Sequence, residues 1–217
     1  MPNVLLTGFE PFDGERINPS WEAVRHLEGL ILPDGSRVIT KQLPCVFDIA
    51  RQQLTDALDH WQPWIAIAIG QAGGRPELSL ERVAINIDDA RIPDNAGQQP
   101  IDRPVIPNGP AAWFTTLPIK SMVATLREAG IPAGVSHSAG TYVCNHVFYG
   151  LMHQASRRPG LSKAGFIHIP YLPEQAQRHP PGTPSMPLVQ MVNGLKLALK
   201  TACEVKEDIC LSIGTTH

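Results

Sequence analysis

The stretch Trp64-Ile65-Ala66-Ile67-Ala68-Ile69-Gly70 decides the fold. No polar residue alternates with the apolar ones, so a strand built from it is apolar on both faces, as a central strand covered by helices on each side must be. Gly70 then ends the run in a turn. On its N-terminal side, Phe47 to Trp61 is an amphipathic helix that turns Ala50, Leu54, Ala57, Leu58 and Trp61 inward, and Arg37 to Gln42 reads as a strand. Before these, Pro19 opens a helix with Trp21, Val24, Leu27 and Leu30 on one face, and Val4 to Gly8 is a first buried strand. On the C-terminal side come a helix over Leu117 to Ala129, a short strand over Ile131 to Ser136, a helix carrying Val147, Leu151 and Ala155, and a strand over Ala164 to Ile169. The segment from Pro173 to Pro187 is proline-rich and reads as irregular, and a last helix covers roughly Leu188 to Val205. Strand and helix alternate, with one excursion of extended segments in the middle. The fold class is therefore α/β, with a mostly parallel twisted central sheet flanked by helices.

At 217 residues the chain suits a single domain, 1–217, with a substantial core. A formal net charge of −2 and the lack of a basic stripe argue against a nucleic-acid or membrane-surface partner. No apolar run approaches the ~18 residues of a membrane span, and Met1-Pro2-Asn3-Val4 lacks the basic start of a signal peptide, so a cytoplasmic protein is expected. Cys45, Cys144, Cys203 and Cys210 have no C-x-x-C spacing and are expected as free thiols.

In sheets of this kind, sites gather at the carboxyl ends of strands. The loop holding Phe9 and Phe12, the Gly70 turn, Cys144 and His168 each follow or end a strand. Cys144 lies where an extended run becomes helical, and unpaired N–H groups in the first turn of a helix favour a thiolate. A free cysteine is more often a small buried hydrophobe, so the reading needs partners. His146 is two residues on along the same helix and points elsewhere. His168 arrives from another strand end and can act as base. Glu81 has the parity of Val83, Ile85 and Ile87, so on a strand over Leu78 to Ile87 it faces inward, where it can orient the imidazole. Two other readings stand beside this one. Cys144, His146, His137 and His168 could ligate zinc, although their spacing matches no standard knuckle. Alternatively, Phe9 and Phe12 line the pocket of a non-catalytic binder of small cyclic amides. Residues 88–110, with five prolines, read as a wall or lid over the site or as an oligomer contact.

The stretches GQAGGRPELSLERVAIN (70–86) and IPAGVSHSAGTYVCNHVFY (131–149) resemble the two diagnostic motifs of pyroglutamyl peptidase type I, also called pyrrolidone-carboxylate peptidase. LLTGFEPFDGERINPSW, DDARIPDN and GFIHIPYLPEQ extend the likeness over essentially the whole chain. The resemblance implies a three-layer α/β/α sandwich and a cysteine peptidase that removes N-terminal pyroglutamate from peptides. Its catalytic glutamate, cysteine and histidine fall on Glu81, Cys144 and His168. It further implies substrate-binding positions at Phe9, Phe12, Asn18, Gln71, Ile92, Tyr142 and Val143, no metal or organic cofactor, and a cytosolic homotetramer. Asp13 departs from the pattern, which has glycine after the loop phenylalanine.

Overall fold

The structure is a computed structural model that describes residues 1–213. Its elements are β1 (Asn3–Phe9), α1 (Pro19–Arg25), β2 (Arg37–Leu43), α2 (Ile49–Trp61), β3 (Ile65–Gln71), β4 (Leu78–Glu81), β5 (Val83–Ile85), β6 (Ala112–Phe114), α3 (Ile119–Glu128), β7 (Ala133–Ser136), α4 (Val143–Ala155), β8 (Lys163–Ile169), α5 (Pro173–Ala176) and α6 (Leu188–Glu204). A six-stranded sheet runs in the order β2-β1-β3-β8-β4-β7. β2, β1, β3 and β8 are parallel; β4 and β7 are parallel to each other and antiparallel to β8. Val4, Leu6, Ile65, Ile67, Ile69 and Ile167 pack on α1, α3 and α6, whereas Leu5, Phe9, Ala66, Ala68, Ala164 and Phe166 pack on α2 and α4. This is the expected α/β arrangement in three layers, with β3 buried on both faces as its composition requires.

Four expectations need correction. Leu78 to Ile87 is not one strand: β4 belongs to the large sheet, while β5 pairs with β6 in a separate ribbon. The break falls at Arg82, whose N–H donates to Ser136 O and whose carbonyl accepts from Thr115 N–H, so the chain changes partners there. Glu81 is fully buried because all four residues of β4 are interior, not because it shares a face with Val83 and Ile85, which are only half-buried. Secondly, the strand that precedes Cys144 runs against the parallel set, so its carboxyl end lies level with Phe166 rather than beside the end of β8. Seven residues then lead from Ser136 back to α4 before Cys144 is reached. Thirdly, α1 stops at Arg25, and Leu27 packs from the following turn, which Gly29 ends at φ 75°. Finally, the segment from Pro173 to Pro187, read as irregular, opens with the short helix α5. Residues 88–110 are held to the body of the fold. Asp88 and Arg103 form an isolated bridge, Asp94 accepts from Phe47 N–H, and Asn95 N–H donates to Cys45 O. Among the described residues no helix is long and apolar enough to cross a membrane.

Candidate active site

Cys144 is in the first turn of α4, which follows Tyr142 as N-cap. α4 packs on the face of the sheet that carries the small residues Ala66, Ala68 and Ala164, and its first turn lies over Gly70 of β3. Contact is closest at Gly70, where an added Cβ would stand 2.9 Å from Cys144 Sγ and 2.7 Å from the Phe166 ring. Glycine is needed there because any side chain would displace the thiol. His146 N–H reaches Tyr142 O, but the N–H groups of Val143, Cys144 and Asn145 have no protein acceptor among the described residues. They form a cluster of free donors around the sulfur. Burial nevertheless pushes the Cys144 thiol pKa up, and Cys45 and Glu81 add to the rise, with Arg75 opposing it. The sequence pointed to a thiolate favoured by the helix dipole. In the folded chain desolvation works against that, in the direction of a neutral thiol.

His168 is the register partner of Gly70 and projects from the same face. It therefore stands about one strand spacing, ~4.8 Å, from the glycine beneath the sulfur. Its Nδ1 contacts Glu81 Oε1 at 2.7 Å. With Nδ1–H donating to the carboxylate, the lone pair of the ring is at Nε2, which makes no hydrogen bond among the described residues and is not sealed from solvent. Glu81 also accepts from Arg75 Nη1 at 2.7 Å on the same Oε1. Burial acts to raise the Glu81 pKa, but the His168 hydrogen bond and charge, the Ser136 hydroxyl and Arg75 together hold it below the ordinary carboxylate value. The structure thus brings Glu81 and His168 into direct contact. Cys144 lies over the next strand, with no hydrogen bond to His168.

The other positions divide. Phe9 is buried at the end of β1, with its ring 6.4 Å from that of Phe166, and Phe166 is 4.8 Å from the His168 ring. Phe12 packs on Tyr142 at 6.0 Å, and Tyr142 donates to Pro93 O at 3.0 Å, which ties it to the segment carrying Ile92. Ile92 is half-buried, and Val143 lies in the core beneath α4. Asn18 and Gln71 use their side chains elsewhere. Asn18 caps α1, accepting from Ser20 N–H and Oγ–H and donating to Glu10 O. Gln71 alternates with Gly70 to the opposite face, where its Oε1 accepts from buried Gln175. Only its backbone faces the cysteine side.

His146 has a different environment. Its Nδ1 contacts Asp88 at 2.9 Å, and its Nε2 accepts from Asp48 N–H at 3.1 Å. Both ring nitrogens are committed, and the side chain is sealed. The four zinc-ligand candidates do not converge: among the described residues no group of three or more His, Cys, Asp or Glu side chains is arranged to hold a metal ion.

Comparison with known proteins places this geometry in a family. A family profile described as "Pyroglutamyl peptidase" matches residues 2–205. The chain belongs to the pyroglutamyl peptidase family. It is 58% identical over its full length to a pyrrolidone-carboxylate peptidase of Escherichia fergusonii, of which it covers 100%. It is likewise 58% identical, with full coverage of both chains, to one of Cupriavidus taiwanensis. The crystal structure of pyroglutamyl peptidase I from Bacillus amyloliquefaciens superposes with a TM-score of 0.93 at 47% identity, covering 98% of this chain and 100% of that one. As a member of this family the chain is a peptidase, and the family fold is the one described above.

Within that family setting, two contributors to the site, Arg75 and Asn145, were not singled out from the sequence, and Gly70 was placed near it only as a turn. Arg75 looked like the end of a glycine-rich turn, yet it grips Glu81. Gly70 looked like a strand stop, yet it is the floor under Cys144. Asn145 donates to Ile85 O and Ile87 O and accepts from Ile85 N–H, fastening α4 to β5. A buried amide inside the apolar run Val143 to Tyr149 was the available signal for the last of these.

Proposed function

We propose that this chain hydrolyses the bond after an N-terminal pyroglutamyl residue in peptides, with Cys144 as nucleophile, His168 as general base and acid, and Glu81 orienting the imidazole. The observation that carries this reading is the 2.7 Å Glu81–His168 contact on the strand beside the glycine under Cys144. His168 Nε2 takes the thiol proton, and the thiolate attacks the carbonyl carbon of the pyroglutamyl residue. The resulting oxyanion is held by the free N–H groups of the α4 first turn, each typically worth about 3 kcal/mol. His168 returns the proton to the departing amine, leaving an acyl-enzyme. Water deprotonated by His168 then attacks the thioester and releases pyroglutamate. A partly exposed thiol whose pKa desolvation raises suits this sequence, because the proton leaves only when base and electrophile are both in place.

The lactam explains the pocket. Unlike an ordinary peptide N-terminus it carries no charge, so Phe9, Phe12, Tyr142 and Ile92 can enclose its flat ring without leaving an ammonium unpaired, while Val143, whose side chain is in the core, contributes through its backbone. Gln71 contributes through its backbone. Asn18 acts indirectly: it holds Ser20, whose hydroxyl accepts from Phe9 N–H. We infer that residues 1–217 act as one catalytic domain in the cytoplasm without a metal or cofactor. The homotetramer implied by the resemblance is testable by light scattering. For the reaction itself the test is a pyroglutamyl anilide. Wild type releases the aniline and does not cleave the prolyl anilide with its free amine; Cys144→Ala releases none. Turnover by Cys144→Ala would end the mechanism.

A further inference from the structure

Arg75 closes the turn between β3 and β4, and its guanidinium joins two parts of the site. Nη1 donates to Glu81 Oε1 at 2.7 Å and to Ser136 Oγ at 3.3 Å, and Nη2 donates to Ser138 O at 3.1 Å. Glu81 Oε1 is the oxygen that also meets His168, while Oε2 is buried with no partner. Two donors on one oxygen and none on the other fix the rotation of the carboxylate. Ser136 is the register partner of Glu81 across β4 and β7, and Ser138 lies on the segment that leads into α4 and Cys144.

We propose that Arg75 is a positioning residue that locks the Glu81 carboxylate and the Ser136–Ser138 segment into one frame and, through Glu81, sets the proton affinity of His168. The proposal deepens the peptidase reading above and rests on it. The groups that face one another are Glu81 from β4, His168 from β8, Ser136 from β7, Cys144 from α4 with Cys45 behind it, and Arg75 from the turn. Arg75 is the fixed cation among them. Its charge offsets the pull of Glu81 on a protonated imidazole, so its loss leaves that pull unopposed and moves the His168 titration to higher pH.

The experiment is an NMR titration of the His168 ring in substrate-free wild type, Arg75→Ala, Arg75→Gln and Arg75→Lys, read beside kcat and KM on a pyroglutamyl anilide. Arg75→Ala and Arg75→Gln should raise the His168 midpoint by about half a pH unit or more. Both should lower kcat by about 10- to 100-fold with KM changed less than about threefold. Arg75→Lys, which keeps the charge but not the fork, should return the midpoint toward wild type while kcat recovers only in part. Gln fills most of the space of the arginine stem, so one uncharged variant should remain folded. An unchanged midpoint in the folded uncharged variants, with activity lost only in step with thermal stability, overturns the proposal. If wild type fails to hydrolyse the anilide, the peptidase reading falls, and the titration still decides for or against Arg75.

Discussion

Two histidine–carboxylate pairs lie near Cys144, and they differ in one respect. His146 meets Asp88 at 2.9 Å and His168 meets Glu81 at 2.7 Å, all four side chains being buried. In the first pair the far ring nitrogen is used up by Asp48 N–H, and Arg103 closes the network by donating to Asp88. In the second the far nitrogen is free. The same two functional groups therefore make a structural clamp in one place and, on the mechanism proposed above, a base in the other. What separates them is whether the surrounding backbone satisfies Nε2. Proximity along the chain is no guide, since the histidine two residues from the cysteine is the clamp.

The comparison is tested most severely by removing each imidazole. His168→Ala should lower kcat on a pyroglutamyl anilide by about 10³-fold with little change in Tm. Glu81→Gln should follow with a loss of about 10²-fold, the low end for acid–base assistance, because the ring loses its orienting charge but keeps its place. His146→Ala should instead cost about 3 kcal/mol of stability, since Asp88 is left buried with one fewer partner. That corresponds to a drop of roughly 6–12 °C in Tm for a chain of this size, with kcat per folded molecule retained. If His146→Ala loses activity without losing stability, the division of labour is wrong.

Acid sharpens the same contrast. The Glu81 pKa is held below its ordinary value of 4.5 by the fold, chiefly against the effect of burial and through His168. Its contribution to stability is therefore complete above that ordinary value and is lost as pH falls through the lower folded value. Denaturant unfolding of Glu81→Gln should show a shallower loss of stability below pH 4.5 than wild type. The smallest effect is expected at Asp13, which sits at φ 53°, in left-handed backbone. Asp13→Gly should change stability by only about 0.5 kcal/mol, because aspartate tolerates this conformation better than most residues.

Much of the fold was legible because burial on both faces leaves a compositional trace. β3 reads as central from its own residues, and the helical stripe of α2 matches its buried positions Ala50, Leu54, Ala57 and Leu58. The broken segment 78–87 was not legible. Its alternation fits one long strand, and only the partners offered by Ser136 and Thr115 divide it at Arg82. The direction of β7 was hidden for the same reason: an apolar tetrapeptide carries no mark of which way its neighbours run.

The sequence by itself determined the α/β class, the two-sided burial of β3, and that His146, two residues on from Cys144, points to other partners. These follow from periodicity and from the directions of side chains within one element. The tertiary structure alone decided that Gly70 is the floor beneath Cys144, that Arg75 shares an oxygen of Glu81 with His168, and that the Gln71 side chain faces away. It also decided that burial pushes the Cys144 thiol pKa up. Each of these depends on contacts between residues far apart in the chain, where distance and desolvation act and local pattern has no reach.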